Sequence, residues 1–352
     1  MTRAHPLLLA LLLPGCPGGG DTADTADTGG EAVEIDPAVI VLLADRLAEV
    51  QNDDGSYDWE RGVDEALTPE ETGYQNVTGV TALGFYGALS YGADADWYAA
   101  LDGSAAYFDL RLDDLLADPT DLEVSISSAN WTFLARYQDY APDAALDART
   151  IDGLNALLDA RDAAYGDDDT RRVDGLMNYL VDRRASIPGI IPWDAAHWVE
   201  ALDAMAVRSD DFADDAEDAA AWLHDYTQDT FLPVYDADPT YAYADISLAW
   251  PLYVLAGRPE TDDEPSLTLA LQERLEALVS AEGEVSNGSD DDGPVQCTAY
   301  ALLAFKAVGS DQAQLVQDYG EAQVTSDGMV INDETAVENY EIEGELLRAL
   351  AE

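Results

Sequence analysis

Lysine is nearly absent from this chain, and cysteine occurs only twice in 352 residues. Lys306 is the only lysine, and Lys and Arg together number 16 against 72 Asp and Glu, a formal net charge of −56. Such a charge repels phosphate backbones and anionic lipid headgroups, so we expect no nucleic-acid partner. Two cysteines, Cys16 and Cys297, are too few for a disulfide scaffold.

Apolar residues make up 47% of the chain, which is enough to bury a sizeable core. No apolar run reaches the length of a membrane-spanning helix. The acidic residues are spread along the whole sequence. We interpret them as a solvated, halophilic surface, because high salt screens the repulsion between exposed carboxylates.

The first sixteen residues have the features of an export signal. Arg3 gives a positive start, and a short leucine-rich run at 7–13 precedes Leu13-Pro14-Gly15-Cys16. This segment resembles the bacterial lipoprotein signal, although Pro14 departs from the residue types usual at that position. The resemblance implies a lipidated Cys16 and a protein anchored at the cell envelope or outer surface. The alternative is an ordinary signal peptide and a secreted, soluble protein.

Residues 17–35 differ in composition from the rest of the chain. They are rich in Gly, Thr and Asp, repeat an Asp-Thr-Ala triplet and contain no aromatic residue. Because such a segment cannot bury apolar surface, we predict a disordered, acidic tether. Residues 36–352 are predicted to form one folded domain.

The folded part has the period of helices. Ile40, Leu43, Leu47 and Val50 recur at spacings of three and four, and strand-type alternation is rare. Amphipathic segments alternate with more apolar ones across turns rich in Asp and Gly. Six of the more apolar segments can be recognised, at 73–89, 124–138, 190–205, 241–257, 293–309 and 336–350. We therefore predict an all-α fold of about six helical hairpins, an (α/α)6 toroid with the apolar helices inside; an open solenoid is the alternative.

Two motifs resemble one known superfamily. Gln51-Asn52-Asp53-Asp54-Gly55-Ser56-Tyr57-Asp58-Trp59 resembles the Gln-x-x-Asp-Gly-Ser-x-x-Trp repeat of the terpenoid cyclases and protein prenyltransferases. Residues 295–303 resemble the inner-helix start that follows this repeat. The resemblance implies an α/α toroid over about 36–351, in which the turn glutamine ties neighbouring hairpins together. It is evidence for a fold and not for an activity.

The superfamily's catalytic motifs are incomplete in this chain. Class II cyclases use Asp-x-Asp-Asp, but the aspartate triplets at 167–169 and 290–292 follow Gly166 and Ser289. Prenyltransferases hold zinc with an Asp, a Cys and a later His, whereas all three histidines precede Cys297. We therefore expect no metal site and no cofactor.

One polar cluster is a candidate for acid–base chemistry. Asp194, His197 and Glu200 follow one another at a spacing of three on a predicted inner helix, which puts them near one face. A carboxylate beside an imidazole can orient the ring for proton transfer. The alternative is a helix-capping aspartate and a buried structural histidine.

Aromatic and polar residues near the starts of the predicted inner helices are candidate ligand contacts. They are Trp131, Trp193, Tyr243, Gln296, Glu338 and Tyr340. Around one opening, such residues would resemble a sugar-stacking rim or a hydrophobic funnel; packing between helices is the alternative.

Three functions follow in order of preference. The first is a lipid-anchored binding or structural module with a glycan or lipid ligand in a central cavity. The second is a glycan-active lyase or hydrolase that uses inner-ring carboxylates and His197. The third is a terpenoid-type cyclase or transferase.

Overall fold

The described part of the chain is all-helical. The computed structural model describes residues 33–61, 77–120, 127–166, 172–183, 189–240, 243–258, 266–288, 293–332 and 336–352. Within these ranges there are isolated β-bridges but no strands, and no helix is long and apolar enough to cross a membrane. The predicted all-α class is therefore confirmed.

Six helices with few exposed side chains form the centre of residues 31–352, and we call them the core helices. They are α2 (Val77–Ala88), α4 (Ser128–Tyr140), α7 (Pro192–Ala206), α10 (Ala244–Leu255), α12 (Pro294–Val308) and α14 (Tyr340–Ala351). Each coincides with one of the six apolar segments predicted from the sequence. They contact one another in the order α2, α4, α7, α10, α12, α14, and α14 contacts α2.

A second set of helices packs on the outside of the core helices. It comprises α1 (Pro37–Val50), α3 (Ala95–Ala117), α5 (Ala144–Tyr165), α8 (Ala213–Tyr226), α11 (Leu267–Glu276) and α13 (Ala313–Ala322). These helices are amphipathic: in α1, Ile40, Leu43 and Leu47 are buried, as their spacing predicted, and the opposite face is exposed. Helix α1 contacts both α2 and α14, and α13 contacts both α12 and α14.

Two elements depart from a simple series of hairpins. Helix α6 (Arg172–Arg183) lies between α5 and α7 in the chain and packs mainly on α5. Helix α8 continues through a π-helical turn, Thr227–Phe231, into the short helix α9 (Leu232–Ala237). The sequence pattern did not separate these elements, because they belong to the same polar stretches as the outer helices.

The internal repeat has a structural counterpart in three identical turns. Each turn ends in a glycine with positive φ: Gly55, Gly283 and Gly328. In each turn, the glycine N–H donates to the carbonyl oxygen of the residue three positions earlier, as Gly55 does to Asn52. The N–H of that earlier residue donates to the carbonyl oxygen of the residue that directly follows the glycine. The left-handed backbone favours glycine, and a close neighbour excludes any larger side chain.

These turns connect neighbouring outer helices. A Cβ atom on Gly55 would lie 2.1 Å from the carbonyl oxygen of Gly103 in α3. The equivalent distances are 2.2 Å from Gly283 to Leu315 in α13 and 2.3 Å from Gly328 to Leu42 in α1. The turn after α13 therefore packs on the first outer helix, which brings the last hairpin against the first.

The residue after each turn is bonded to a core helix. The N–H of Tyr57 donates to Thr78 Oγ1 at 3.1 Å, and the N–H of Val285 donates to Thr298 Oγ1 at 3.1 Å. In the third copy Val330 donates to Glu343 Oε1 at 2.8 Å. A carboxyl group thus occupies the position that a threonine hydroxyl holds in the other two repeats.

Gln51 connects its own turn with the neighbouring outer helix. Its Nε2 donates to the carbonyl of Gly55 at 3.0 Å and to the carbonyl of Ala100 in α3 at 2.8 Å. The motif tryptophan, Trp59, is 46% exposed. The glutamine link is therefore present at this turn.

Candidate functional site

Polar and aromatic side chains from the core helices meet in two connected clusters. The aromatic cluster contains Trp193, His197, Tyr243, Trp250 and Tyr300. The charged cluster contains Arg136, Glu200, Tyr253, Arg348 and Glu352. Both clusters draw on α7 and α10, so they lie next to each other along the same helices.

The core helices that carry these clusters run parallel. Tyr300, in the second turn of α12, bonds to Glu345 in the second turn of α14. Near the other end of the same pair, Lys306 Nζ donates to the carbonyl of Ala349 at 2.7 Å. The aromatic cluster therefore lies toward the starts of these helices and the charged cluster toward their ends.

His197 occupies the middle of the aromatic cluster and is fully buried. Its Nε2 atom lies 3.3 Å from Tyr300 Oη, and the Tyr300 hydroxyl donates to Glu345 Oε1. Because the tyrosine proton is used on Glu345, the tyrosine oxygen accepts and His197 Nε2 donates. This places a proton on His197 Nε2.

The surroundings of His197 keep it uncharged. Burial, and then the nearby charge of Arg348, hold the pKa of His197 well below its usual value. Burial raises the pKa of Tyr300 well above its usual value, and Glu345 adds to that effect. His197 is therefore a neutral hydrogen-bond donor at physiological pH and has little capacity as a general base.

Trp193 and Tyr243 form the half-buried side of the aromatic cluster. Their rings are stacked with centroids 6.1 Å apart, and Trp193 meets the edges of His197 and Tyr300. Tyr243 has φ = 59°, a left-handed conformation that non-glycine residues rarely adopt. Since α10 begins directly after Tyr243, this conformation sets its ring against Trp193 at the helix start.

In the charged cluster, two cations and two anions neutralise each other. Arg348 pairs with Glu200 and lies 3.3 Å from Glu352, and Arg136 pairs with both carboxylates. The Arg348 guanidinium also lies over the Trp250 ring, 5.2 Å from its centroid. Burial alone would raise the pKa of Glu352, but Arg348 and Arg136 lower it to about 2.

Little space remains where the two clusters meet. The cavity there has a volume of about 10 Å³, and its lining residues are Val80, His197, Trp250, Ala299, Tyr300, Leu303, Glu345 and Arg348. This volume is at the lower limit for one water molecule. Among the residues that the structure describes, side chains therefore leave almost no space between the two clusters.

The structure brings together four of the residues that the sequence singled out and separates the others. His197, Trp193 and Tyr243 share the aromatic cluster, and Glu200 belongs to the charged cluster. Asp194 is half-buried in the first turn of α7. The ring contact that orients His197 comes from Tyr300, which the sequence analysis did not assign to this role.

The remaining candidate ligand contacts lie in other surroundings. Trp131 is fully buried and packs against α5. A Cβ atom placed on Gly153 of α5 would lie 3.2 Å from its ring. Glu338 is buried in a bidentate pair with Arg46 of α1. Tyr340 is buried, and Gln296 is half-buried in the first turn of α12. Trp131 and Glu338 therefore contact outer helices.

Sequence reasoning missed most of the charged cluster. Arg136 and Arg348 are the basic residues of two predicted inner helices. A charged residue within a predominantly apolar helix was the available signal, because such a residue must find a partner when the helix is buried.

The cysteines and the aspartate triplets considered in the sequence analysis remain to be placed. Cys297 is buried in α12, and within the described ranges no three His, Cys, Asp or Glu side chains are grouped to hold a metal ion. Cys16 and the aspartate triplets at 167–169 and 290–292 lie outside the described residues.

Comparison with known proteins gives a similarity of fold. Neither a protein-family model nor a curated protein sequence matches this chain. The crystal structure of a protein from Actinoplanes is similar, with a TM-score of 0.50 over 90% of this chain and 98% of that chain, at 14% sequence identity. At this identity the similarity concerns the fold alone.

Proposed function

We propose that this chain is an exported, lipid-anchored α/α toroid that acts as a binding or structural module and not as a terpenoid-type enzyme. Support for the toroid comes from the contact order of the core helices, in which the sixth returns to the first. The turn that carries Gly328 adds to this support, because it packs the last hairpin on α1.

The lack of space between the two clusters of described residues is the observation that carries the functional proposal. A cyclase or prenyltransferase needs an interior cavity that holds its substrate, and pockets for such ligands usually measure several hundred Å³. The space between the two clusters is about 10 Å³. His197 is neutral, and Glu200 is neutralised by two arginines, so neither is arranged for proton transfer.

A glycan ligand is the second candidate, and the Trp193–Tyr243 pair favours it. Both rings are half-buried at the starts of the core helices, and Tyr243 adopts a strained backbone conformation there. Flat aromatic surfaces stack on the apolar faces of sugar rings. In this alternative the toroid binds a glycan at the helix starts, outside the space between the two clusters.

A screen of the purified protein against glycans and lipid vesicles, with turnover assays on polysaccharides and prenyl diphosphates, tests these functions. We expect no turnover. If a glycan binds, Trp193→Ala should weaken it tenfold or more, about 1.4 kcal/mol. Trp222→Ala is the matched control, because Trp222 is also half-buried and stacked, on Tyr226 of α8. Turnover that His197→Ala abolishes would overturn the proposal.

The anchor is tested separately. Mass spectrometry of the mature protein should find a lipid on Cys16, and Cys16→Ser should release the protein from membranes. An unlipidated N-terminus at another residue would remove the anchor from the proposal and leave the module itself unaffected.

A further inference from the structure

One face of helix α8 and of the π-helical turn that follows it borders an open cavity of about 610 Å³, which we call the α8 groove. Its volume lies within the range of small-molecule sites. The side chains along it follow one another at spacings of three and four, so they share one helix face. They include Asp218, Trp222, Asp225, Tyr226 and Asp229.

Two stacked aromatic rings lie in the middle of this face. The rings of Trp222 and Tyr226 are half-buried and nearly parallel, with centroids 4.8 Å apart. The Tyr226 hydroxyl donates to the carbonyl of Ile190 at 2.9 Å. Gly189 keeps this bond open, because a Cβ atom there would lie 3.1 Å from Tyr226 Oη. The aromatic pair is therefore held in place by the protein itself, which lowers the entropic cost of binding a ligand to it.

The charge around the aromatic pair is negative. Three aspartates line the α8 groove, and none of its described lining residues is Lys or Arg. Asp225 and Asp229 are exposed and one helical turn apart, so their carboxylates repel each other. Asp225 also contacts His224 Nδ1 at 3.2 Å. Since the face of an indole ring attracts cations, the aromatic pair and the carboxylates favour the same kind of ligand.

The spacing of the carboxylates excludes a small inorganic ion as that ligand. Asp218 and Asp225 are seven residues apart on α8, which corresponds to about 10 Å along the helix. Within the described ranges no three His, Cys, Asp or Glu side chains are grouped to hold a metal ion. An organic cation is larger, and its apolar substituents can contact the rings while its charge faces the carboxylates.

We propose that the α8 groove binds a small organic ammonium ion, with its cationic head against Trp222 and within reach of the carboxylates of Asp225 and Asp229. The net charge of −56 attracts every cation to the surface of the protein, so selectivity for this ligand comes from Trp222. This inference goes beyond the proposed function and does not depend on it.

Choline is the probe for this site. At constant ionic strength, the purified protein should broaden the proton NMR signal of the trimethylammonium group, and the broadening should saturate with choline concentration. The neutral alcohol 3,3-dimethylbutan-1-ol has the same shape without the charge. It should bind about tenfold more weakly or less, because the interaction with the ring face requires a cation.

Substitution of the tryptophan tests which surface is responsible. Trp222→Leu should weaken choline binding by about tenfold or more. Trp59→Leu is the matched control, because Trp59 is 46% exposed and lies between Asp58 and Glu60. Choline should bind this control as it binds the wild type.

Removal of the carboxylates tests the same site at exposed positions, where folding is little affected. The double variant Asp225→Asn/Asp229→Asn should weaken choline binding by about fivefold. Glu282→Gln/Asp327→Asn removes the same charge from exposed positions in other turns and should leave binding nearly unchanged.

Broadening that never saturates, equal affinity for the neutral alcohol, or equal binding by Trp222→Leu and wild type would overturn the proposal. Equal weakening by the two double variants would also overturn it, since the attraction would then be a property of the whole surface. Binding of penta-arginine that depends on Trp222, without binding of choline, would overturn it in favour of a basic protein partner.

Discussion

The aromatic cluster and the charged cluster stabilise polar groups among the core helices in different ways. Both place polar groups among the core helices, and His197, Glu200 and Arg348 are buried there, where an unmatched group costs stability. In the aromatic cluster His197 gives up its charge and is held by Tyr300. In the charged cluster Glu200 and Glu352 are each paired with Arg136 and Arg348. We conclude that the first cluster depends on hydrogen bonding and packing, whereas the second depends on complete pairing.

Removal of one carboxylate from the charged cluster should have the largest effect. Glu200→Ala leaves the buried Arg348 and the half-buried Arg136 with Glu352 as their remaining carboxylate in the cluster, so one positive charge is in excess. We expect the free energy of unfolding to fall by about 3–5 kcal/mol. Chemical denaturation of the variant measures it. The control is Glu49→Ala: Glu49 pairs with Arg46 on the surface and is 73% exposed, so its loss should cost less than about 1 kcal/mol. Equal losses would show that the cluster is not dependent on pairing.

Glu343 is a buried acid outside both clusters, and its pH dependence can be compared with that of the paired acids. Burial raises the pKa of Glu343 to about 9 from an ordinary value of 4.5, so the folded state retains a proton that the unfolded state loses. The free energy of unfolding should therefore be unaffected below pH 4.5 and should fall as the pH rises toward 9. Glu343→Gln removes this dependence and should stabilise the protein by about 3 kcal/mol at pH 7.

Denaturation of wild type and Glu343→Gln at pH 5, 7 and 9 measures the difference. The stability gap between the two proteins should widen with pH. A gap that stays constant from pH 5 to pH 9 would mean that Glu343 is already ionised in the folded protein at pH 5.

His197→Ala is expected to have an intermediate effect. It removes the donor to Tyr300 from a fully buried position, so we expect a loss of about 1–3 kcal/mol in the free energy of unfolding. His224→Ala, on the half-buried face of α8, should change it by less than about 0.5 kcal/mol. Unchanged stability together with a selective loss of ligand binding would identify His197 as a ligand contact.

The salt dependence of stability should distinguish the paired charges of the clusters from the exposed carboxylates of the surface. We expect this effect to be the smallest per charge. We expect the melting temperature of the wild type to rise from low to molar KCl, because exposed carboxylates are screened beyond about 10 Å at 0.1 M salt. The loss caused by Glu200→Ala should stay nearly constant over the same range, since buried pairs are screened much less. A flat or falling curve for the wild type would contradict the halophilic interpretation of the surface.

Much of the fold could be predicted from the sequence, because hydrophobic periodicity depends on residues close together in the chain. The six apolar segments became the six core helices, and the repeated glycine turns follow from Gly55, Gly283 and Gly328. Helix α6 and the π-helical turn were missed because they lie in polar stretches without a pattern of their own.

The candidate site was less predictable. The spacing of Asp194, His197 and Glu200 suggested one site, but His197 pairs with Tyr300 and Glu200 with Arg348, which are 103 and 148 residues away. Partners so distant in the chain leave no local pattern. Glu338 faces Arg46 for the same reason: the contact between α1 and the segment before α14 depends on how the hairpins assemble.

A high-resolution crystal structure tests the central claim, that side chains fill the space between the two clusters, most directly. The claim predicts density for at most one water molecule between His197 and Arg348, with Trp250 stacked under the guanidinium. Density for a larger bound molecule between the core helices, with Trp250 or Arg348 displaced from these positions, would contradict it.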